Sequence, residues 1–230
     1  MKIAILGTGM VGRAHAEKLS QIGHEVMFGT QDVEKTLHSE APDAMGNPGF
    51  SSWYSAHSQI KVASFAVAAE YGELIIEALN GQVAVSVLTR ISDQLAGKIL
   101  IDIANSLDFS KGMPPSLSVC NTDSLGEQIQ KALPQTKVVK TLNTVTAMIQ
   151  ANPLDLANGD HHIFMSGNDE AAKKQVTQLL QEWYGWRLIL DLGDMTTARG
   201  TEMYLPLWLS IFGKVQNPLF SIKVIVEEKK

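Results

Sequence analysis

The chain has 230 residues, 45% apolar and 19% charged, with a net charge of −5. It is long enough to bury a hydrophobic core and too apolar to be disordered, and it lacks the basic face that nucleic-acid binding needs. Cys120 is the only cysteine, so an intrachain disulfide and a cysteine zinc cluster are both excluded and a reducing, cytoplasmic setting is expected.

Lys2 to Leu6 is an apolar run that ends in glycine, with no signal-peptide cleavage pattern, and reads as a central parallel strand. Gly9 to Ile22 reads as a helix stopped by Gly23, and Glu25 to Phe28 as a second strand ending at Gly29-Thr30. Gln31 to Gln59 is expected to start with a helix over Asp32 to Glu40 and then to wander; long loops of this kind are often functional. A strand at Lys61 to Ser64, a helix at Phe65 to Tyr71, a strand at Leu74 to Leu79, a helix at Val83 to Leu95 and a strand at Lys98 to Ile103 follow. After a loop from Asn105 to Asp123 come a helix (Ser124 to Leu133) and a strand (Lys137 to Leu142).

The remainder reads as a strand (His162 to Ser166), a helix (Glu170 to Trp183), a strand (Arg187 to Asp191), an apolar helix (Thr196 to Phe212) and a last strand (Phe220 to Val226). The alternation predicts an α/β, Rossmann-type doubly wound, mostly parallel sheet with a small C-terminal α/β extension. One domain over 1–230 is expected, with a core of about 1–145 and an extension of about 146–230 packed on it. The apolar stretch from Met203 to Phe212 is too short to span a bilayer, which takes about 20 residues, so no membrane insertion is expected.

The first chemical signal is GTGMVG at Gly7, Thr8, Gly9, Met10, Val11 and Gly12, set between a strand and a helix. In such a turn the first glycine permits the bend, the second lets the backbone approach a pyrophosphate, and the third lets helix and strand pack closely. Backbone N–H groups and the helix dipole then hold the phosphates. An NAD site places a carboxylate at the tip of the second strand. Here that tip is Thr30-Gln31, with Lys35 one helical turn on and Asp32 beyond the tip, which favours NADP(H). The later strand tips present Leu79, Asn80, Gly81, Ala104, Asn105, Asn143 and Thr144; the asparagines suit either a nicotinamide carboxamide or a simple turn.

These residues carry a resemblance. The opening segment, Gly29-Thr30, DIAN at 102–105, KTLNT at 140–144, SVCNTDSLGEQ at 118–128 and DLGDMTTARGTEMYLPLW at 191–208 resemble the NADP oxidoreductases dependent on coenzyme F420, a deazaflavin. The likeness covers essentially the whole chain and is strongest to a bacterial branch described as predicted dinucleotide-binding proteins. It implies hydride transfer between NADPH and a flavin or deazaflavin ring stacked on the nicotinamide, in a homodimer built through the C-terminal extension. It implies pyrophosphate at Thr8 to Val11, the 2′-phosphate at Thr30, Gln31 and Lys35, and the nicotinamide half near Leu79, Ala104 and Ala147. Family members often carry Arg where this chain has Gln31, and archaeal members tend to have His where it has Asn143, near the hydride-transfer position.

Hydride transfer between stacked rings needs proximity and water exclusion more than acid–base groups, so no triad and no metal are expected. His161-His162 reads as a surface turn, Glu77 as a carboxylate in an apolar strand without a chemical role, and Glu227 to Lys230 as a solvated tail. Arg199 and Glu202, three apart on a helix, are expected to pair with each other rather than to bind an acidic ligand. The helix around Tyr204 and Trp208 is apolar almost all round and must be covered, by the core, by a second copy, or as a wall closing over an acceptor pocket. Two other readings stand beside the reductase. One is a small imine or hydroxy-acid dehydrogenase, which would need a Lys or Asp acid/base. The other is an NADP(H) sensor, or a module working with a partner such as a membrane metalloreductase.

Overall fold

The computed structural model describes residues 1–42 and 46–227. Part of the long excursion after the second strand, 43–45, and Glu228, Lys229 and Lys230 of the expected tail lie outside the described residues.

β1 (Lys2–Leu6) has four consecutive buried residues, the mark of a strand covered on both faces. α1 (Met10–Gln21) returns antiparallel to it and stops at Gly23, whose φ of +90° suits glycine. β2 (Glu25–Thr30) pairs in parallel with β1. α2 (Val33–Leu37) is shorter than expected, and α3 (Phe50–Ser55) lies in what read as irregular chain. β3 (Lys61–Ser64), α4 (Phe65–Tyr71) and β4 (Leu74–Glu77) follow as expected. The single helix expected over Val83 to Leu95 is two, α5 (Gly81–Arg90) and α6 (Ser92–Leu95). After β5 (Ile99–Asp102), the expected loop contains a small antiparallel ladder of β6 (Leu107–Asp108) and β7 (Ser116–Leu117).

α7 (Leu125–Ala132), β8 (Lys137–Thr141) and an unforeseen α8 (Ala147–Ala151) come next. β9 (His162–Gly167) precedes α9 (Glu170–Leu179), which runs on as a wider turn over Leu180–Tyr184 until Gly185, at φ +84°, ends it. β10 (Leu188–Asp191) is the last strand. The expected strand at Phe220 to Val226 is reduced to one bridge between Ile222 and His162.

The expected helix from Thr196 to Phe212 is broken into α10 (Ala198–Met203) and α11 (Leu205–Val215). Pro206 is the physical reason, because it has no N–H to continue the helical ladder. Nor is α11 fully covered: Leu205 is buried while Leu207 and Val215 are each 57% exposed. No helix among the described residues is long and apolar enough to cross a membrane.

The sheet order is β10-β9-β8-β5-β4-β1-β2-β3, parallel throughout except where β8 meets β9. One face is packed by Ala16 and Leu19 of α1, Phe50, Ile149 and Val176; the other by Ala68, Leu88, Ile129 and Ala198. Each such fully buried Leu or Ile contributes about 1.5–3 kcal/mol relative to exposure. The strand order reverses at β1, and in open α/β sheets ligands bind at that switch point, beyond the carboxyl ends of the strands.

Candidate dinucleotide site

The glycine turn sits at the switch point, because Leu6 at the end of β1 pairs with Gly29 on one side and Glu77 on the other. Its three glycines differ. Gly7 has φ +114°, and a Cβ there would lie 2.5 Å from the Ala78 carbonyl oxygen. A Cβ on Gly12 would lie 2.2 Å from the Gly7 carbonyl oxygen, which fixes the close approach of α1 to the turn. A Cβ on Gly9 would meet nothing within 4 Å. The open space over Gly9, the absence of a side-chain cap there, and the absence of an acidic residue in the first turn of α1 together fit a pyrophosphate.

Two concavities flank this turn. The one on the β2 side, about 650 Å³, brings together Thr8, Gly9, Thr30, Gln31 and Lys35 as expected. Thr30 Oγ1 lies 2.7 Å from Thr36 Oγ1, and Asp32 caps α2 by accepting the Lys35 N–H at 3.0 Å. Asp32 also lines this concavity, and engagement of its carboxylate by the helix start moderates its repulsion of an anion.

Arg13 was missed from sequence and lines the same space. Its Nε donates to the Thr8 carbonyl at 2.9 Å, its Nη1 donates to the Pro48 carbonyl at 2.6 Å, and its guanidinium lies 5.4 Å from the Phe50 ring centre. A basic residue directly after the third glycine was the available signal. Its orientation depends on the excursion returning at Pro48 to Phe50, which the local sequence does not announce.

The second concavity, about 580 Å³, lies over β4, β5 and β8. Leu79, Asn80, Ala104, Asn105, Asn143 and Ala147 line it, together with Met10 and Val11, which were expected at the pyrophosphate. The asparagines divide by role. Asn80 caps α5 by accepting the Gln82 N–H at 2.9 Å. Asn105 and Asn143 hold each other: Asn143 Nδ2 donates to Asn105 Oδ1 at 3.0 Å, and Asn105 Nδ2 donates to the Asn143 carbonyl at 2.9 Å. Gly81 is required beside them, since a Cβ there would lie 2.2 Å from the Asn105 carbonyl oxygen. Leu205, Trp208 and Phe212 form the opposite wall, and Trp208 stacks on Phe212 and Phe220 at 5.5 and 5.0 Å. Of the coverings considered for this apolar helix, the wall over the pocket is therefore realised within one chain. No ionisable side chain lines this cavity among the described residues.

Behind α8 a buried chain of hydrogen bonds supports the cavity. Gln150 donates to the Val145 carbonyl at 2.9 Å, which turns its Oε1 toward His15 Nε2 at 3.0 Å, and the Tyr184 hydroxyl lies 2.9 Å from His15 Nδ1. This order fixes the proton on Nε2 and makes Tyr184 the donor to Nδ1. Burial drives the His15 pKa down to about 4, against a smaller opposing effect of the Gln150 bond, and burial pushes the Tyr184 hydroxyl up.

Beneath the strand tips lie Glu77, Asp102, Lys140 and Glu202, all essentially inaccessible. Lys140 Nζ is 3.0 Å from both Asp102 oxygens and 3.2 Å from Glu202 Oε1. Burial opposes its charge, but Asp102 and Glu202 outweigh burial and raise its pKa. Glu77 is raised well above the usual carboxylate range, first by burial and then by the neighbouring Asp102. The expected pairing of Arg199 with Glu202 is not formed. Arg199 reaches Glu127 on α7 through two bonds of 2.6 and 2.8 Å, while Glu202 turns inward to Lys140. His161 is likewise not at the surface: it is 3% exposed and bonded through Nε2 to the Pro153 carbonyl at 3.0 Å, while His162 opens β9 as expected.

Known proteins share the sequence and fold of this chain. The family described as NADP oxidoreductase, coenzyme F420-dependent, matches residues 2–106. A solved structure described as a "putative F420 dependent NADP-reductase" from Arthrobacter sp. FB24 is 49% identical, covers 98% of this chain and 100% of its own, and superposes with a TM-score of 0.93. An F420-dependent NADP reductase of Methanocaldococcus jannaschii is 28% identical over 97% of this chain and 98% of its own length. The rat metalloreductase STEAP3 is 27% identical over 90% of this chain, which spans only 38% of that longer protein. Sharing nearly half its residues with the Arthrobacter structure over full length, the chain belongs to the family of NADP oxidoreductases dependent on coenzyme F420.

Proposed function

We propose that the protein binds NADP(H) across the glycine turn and transfers a hydride between its nicotinamide and a deazaflavin such as coenzyme F420, or a related flavin. The observation that carries this reading is the pair of cavities on either side of Gly9, one lined by two cations and several hydroxyls, the other by none but neutral side chains. The first suits an adenosine 2′-phosphate, with Thr30, Gln31, Lys35 and Arg13 as its partners. The second suits two stacked rings, with the amide pair of Asn105 and Asn143 at its floor and Trp208 and Phe212 at its wall.

When bound, NADPH supplies the hydride. Leu79, Ala104 and Ala147 present small or apolar surfaces to a flat ring, and the α11 wall excludes water. A hydroxy-acid or imine dehydrogenase would want an ionisable acid/base group here, and none of the described residues lining the cavity provides one. The half-exposed face of α11 around Leu207 and Val215 is the surface through which a second copy would pack to form a homodimer. The sheet passes through β8 into β9 and β10, so core and extension are taken as one domain, and the single cysteine suits a reducing cytoplasmic compartment.

The test is a titration of NADPH against NADH. NADPH is expected to bind at least about tenfold more tightly, and Lys35→Glu should remove most of that preference while changing NADH affinity little. Equal affinity for the two cofactors in the parent protein would sink the assignment.

A further inference from the structure

The charged cluster below the strand tips bonds the backbone of residues that line the cavity. Glu77 Oε1 accepts the Leu79 N–H at 2.8 Å, Asp102 Oδ1 accepts the Ala104 N–H at 3.0 Å, and Lys140 Nζ donates to the Ala104 carbonyl at 2.6 Å. Leu79 and Ala104 are two of the three residues proposed to face the nicotinamide. On the far side, Glu202 accepts the N–H groups of Leu125 and Gly126 at 2.8 and 3.0 Å, which partly offsets its charge. The family-like segments around Asp102, Lys140, Leu125 and Glu202, scattered along the chain, thus converge on one point. The cluster has three carboxyl groups and one ammonium. Lys140 balances one carboxylate, so the cluster stays net negative even with Glu77 neutral. Arg199, the nearby cation on α10, is already engaged by Glu127.

The two redox forms of the cofactor differ by one charge on the nicotinamide, cationic when oxidised and neutral when reduced. A buried negative charge acts on the first and not on the second, in surroundings where water screens it weakly. We propose that the Asp102–Lys140–Glu202 cluster stabilises the oxidised nicotinamide relative to the reduced one, and so biases the bound cofactor toward giving up its hydride. This rests on the placement of the nicotinamide given above. Transfer would move one hydride from the C4 carbon of NADPH to the acceptor ring, which would take up one proton from solvent, and would leave the positive charge on the nicotinamide.

The experiment measures dissociation constants of both NADP⁺ and NADPH for the full chain and for Glu202→Gln, with Asp102→Asn as a second variant should the first fail to fold. Removing one negative charge should raise the ratio of Kd for NADP⁺ to Kd for NADPH by about three- to tenfold, with NADPH affinity nearly constant. Glu73→Gln, which removes a charge from the exposed position just before β4, at the other end of that strand from the cavity, should leave the ratio within about twofold. A ratio unmoved in the charge-removing variants, or moved equally by Glu73→Gln, would overturn the proposal. A parent protein that binds neither form would overturn the cofactor assignment instead. A general loosening of the fold would weaken both affinities together and leave the ratio where it was.

Discussion

Gly9→Glu should abolish NADPH binding, by about 100-fold or more, while leaving the fold intact. The backbone at Gly9 has φ −71° and ψ −179°, an extended conformation any residue adopts, and a side chain there meets no protein atom within 4 Å. The substituent would instead occupy the space assigned to the pyrophosphate and place a carboxylate against it. Gly9→Ala should cost less, because only a methyl group intrudes. The same test is impossible at Gly7 or Gly12, where a Cβ collides with backbone and lost binding would be indistinguishable from lost folding. Calorimetric titration together with a thermal melt checks both halves; a folded Gly9→Glu protein with parental affinity would remove the site from this turn.

A second large effect concerns pH. His15 accepts a proton near pH 6.5 in the unfolded chain and near pH 4 in the folded one, because charging it means charging a fully buried ring. Between these values the unfolded state binds more protons, so acidification lowers stability, by roughly 3 kcal/mol across the window. Above pH 6.5 this contribution is complete and constant. Urea unfolding of the parent and of His15→Gln at steps from pH 7 to pH 4 should give a shallower slope in the variant, by one proton. Parallel curves would show that His15 is not the titrating group. Because His15 holds Gln150, and Gln150 bonds the carbonyl of Val145 on the cavity wall, the NADPH affinity of the folded protein should hold across this window and decline only as the pH falls to about 4.

What could be read in the chain before folding has a physical pattern. β1, β4 and β5 are buried on both faces and so appear as apolar runs, interrupted only by Glu77 and Asp102 at the ends of β4 and β5, and Leu79, Ala104 and Asn105 just past their tips line the cavity. The glycine motif was legible because two of its three glycines answer steric demands made within a few residues or by the adjoining strand tip. Arg13 was not legible, since its partners lie at Pro48 and Phe50. Arg199 and Glu202 show where local rules mislead. Their spacing offers an ion pair worth a few tenths of a kcal/mol, but each finds a tertiary partner, and Lys140 would be buried beside Asp102 without its second carboxylate. Glu77 had no assignable role because its partners come from β5 and β8. His161 was misplaced for the same kind of reason: the short turn at Pro153–Asp155 folds back over it and accepts its ring N–H.

Deuterium tracing tests the central claim most directly. NADPH labelled at the transferable C4 position is mixed with the protein and, in separate runs, with the deazaflavin of coenzyme F420, riboflavin, FMN and FAD. Direct ring-to-ring transfer predicts that NADPH oxidation depends on a flavin-like acceptor and that, with the deazaflavin, deuterium is retained on the acceptor's ring carbon. Tight NADPH binding with no oxidation by any of these acceptors, or reduction of the deazaflavin without the label, would contradict it.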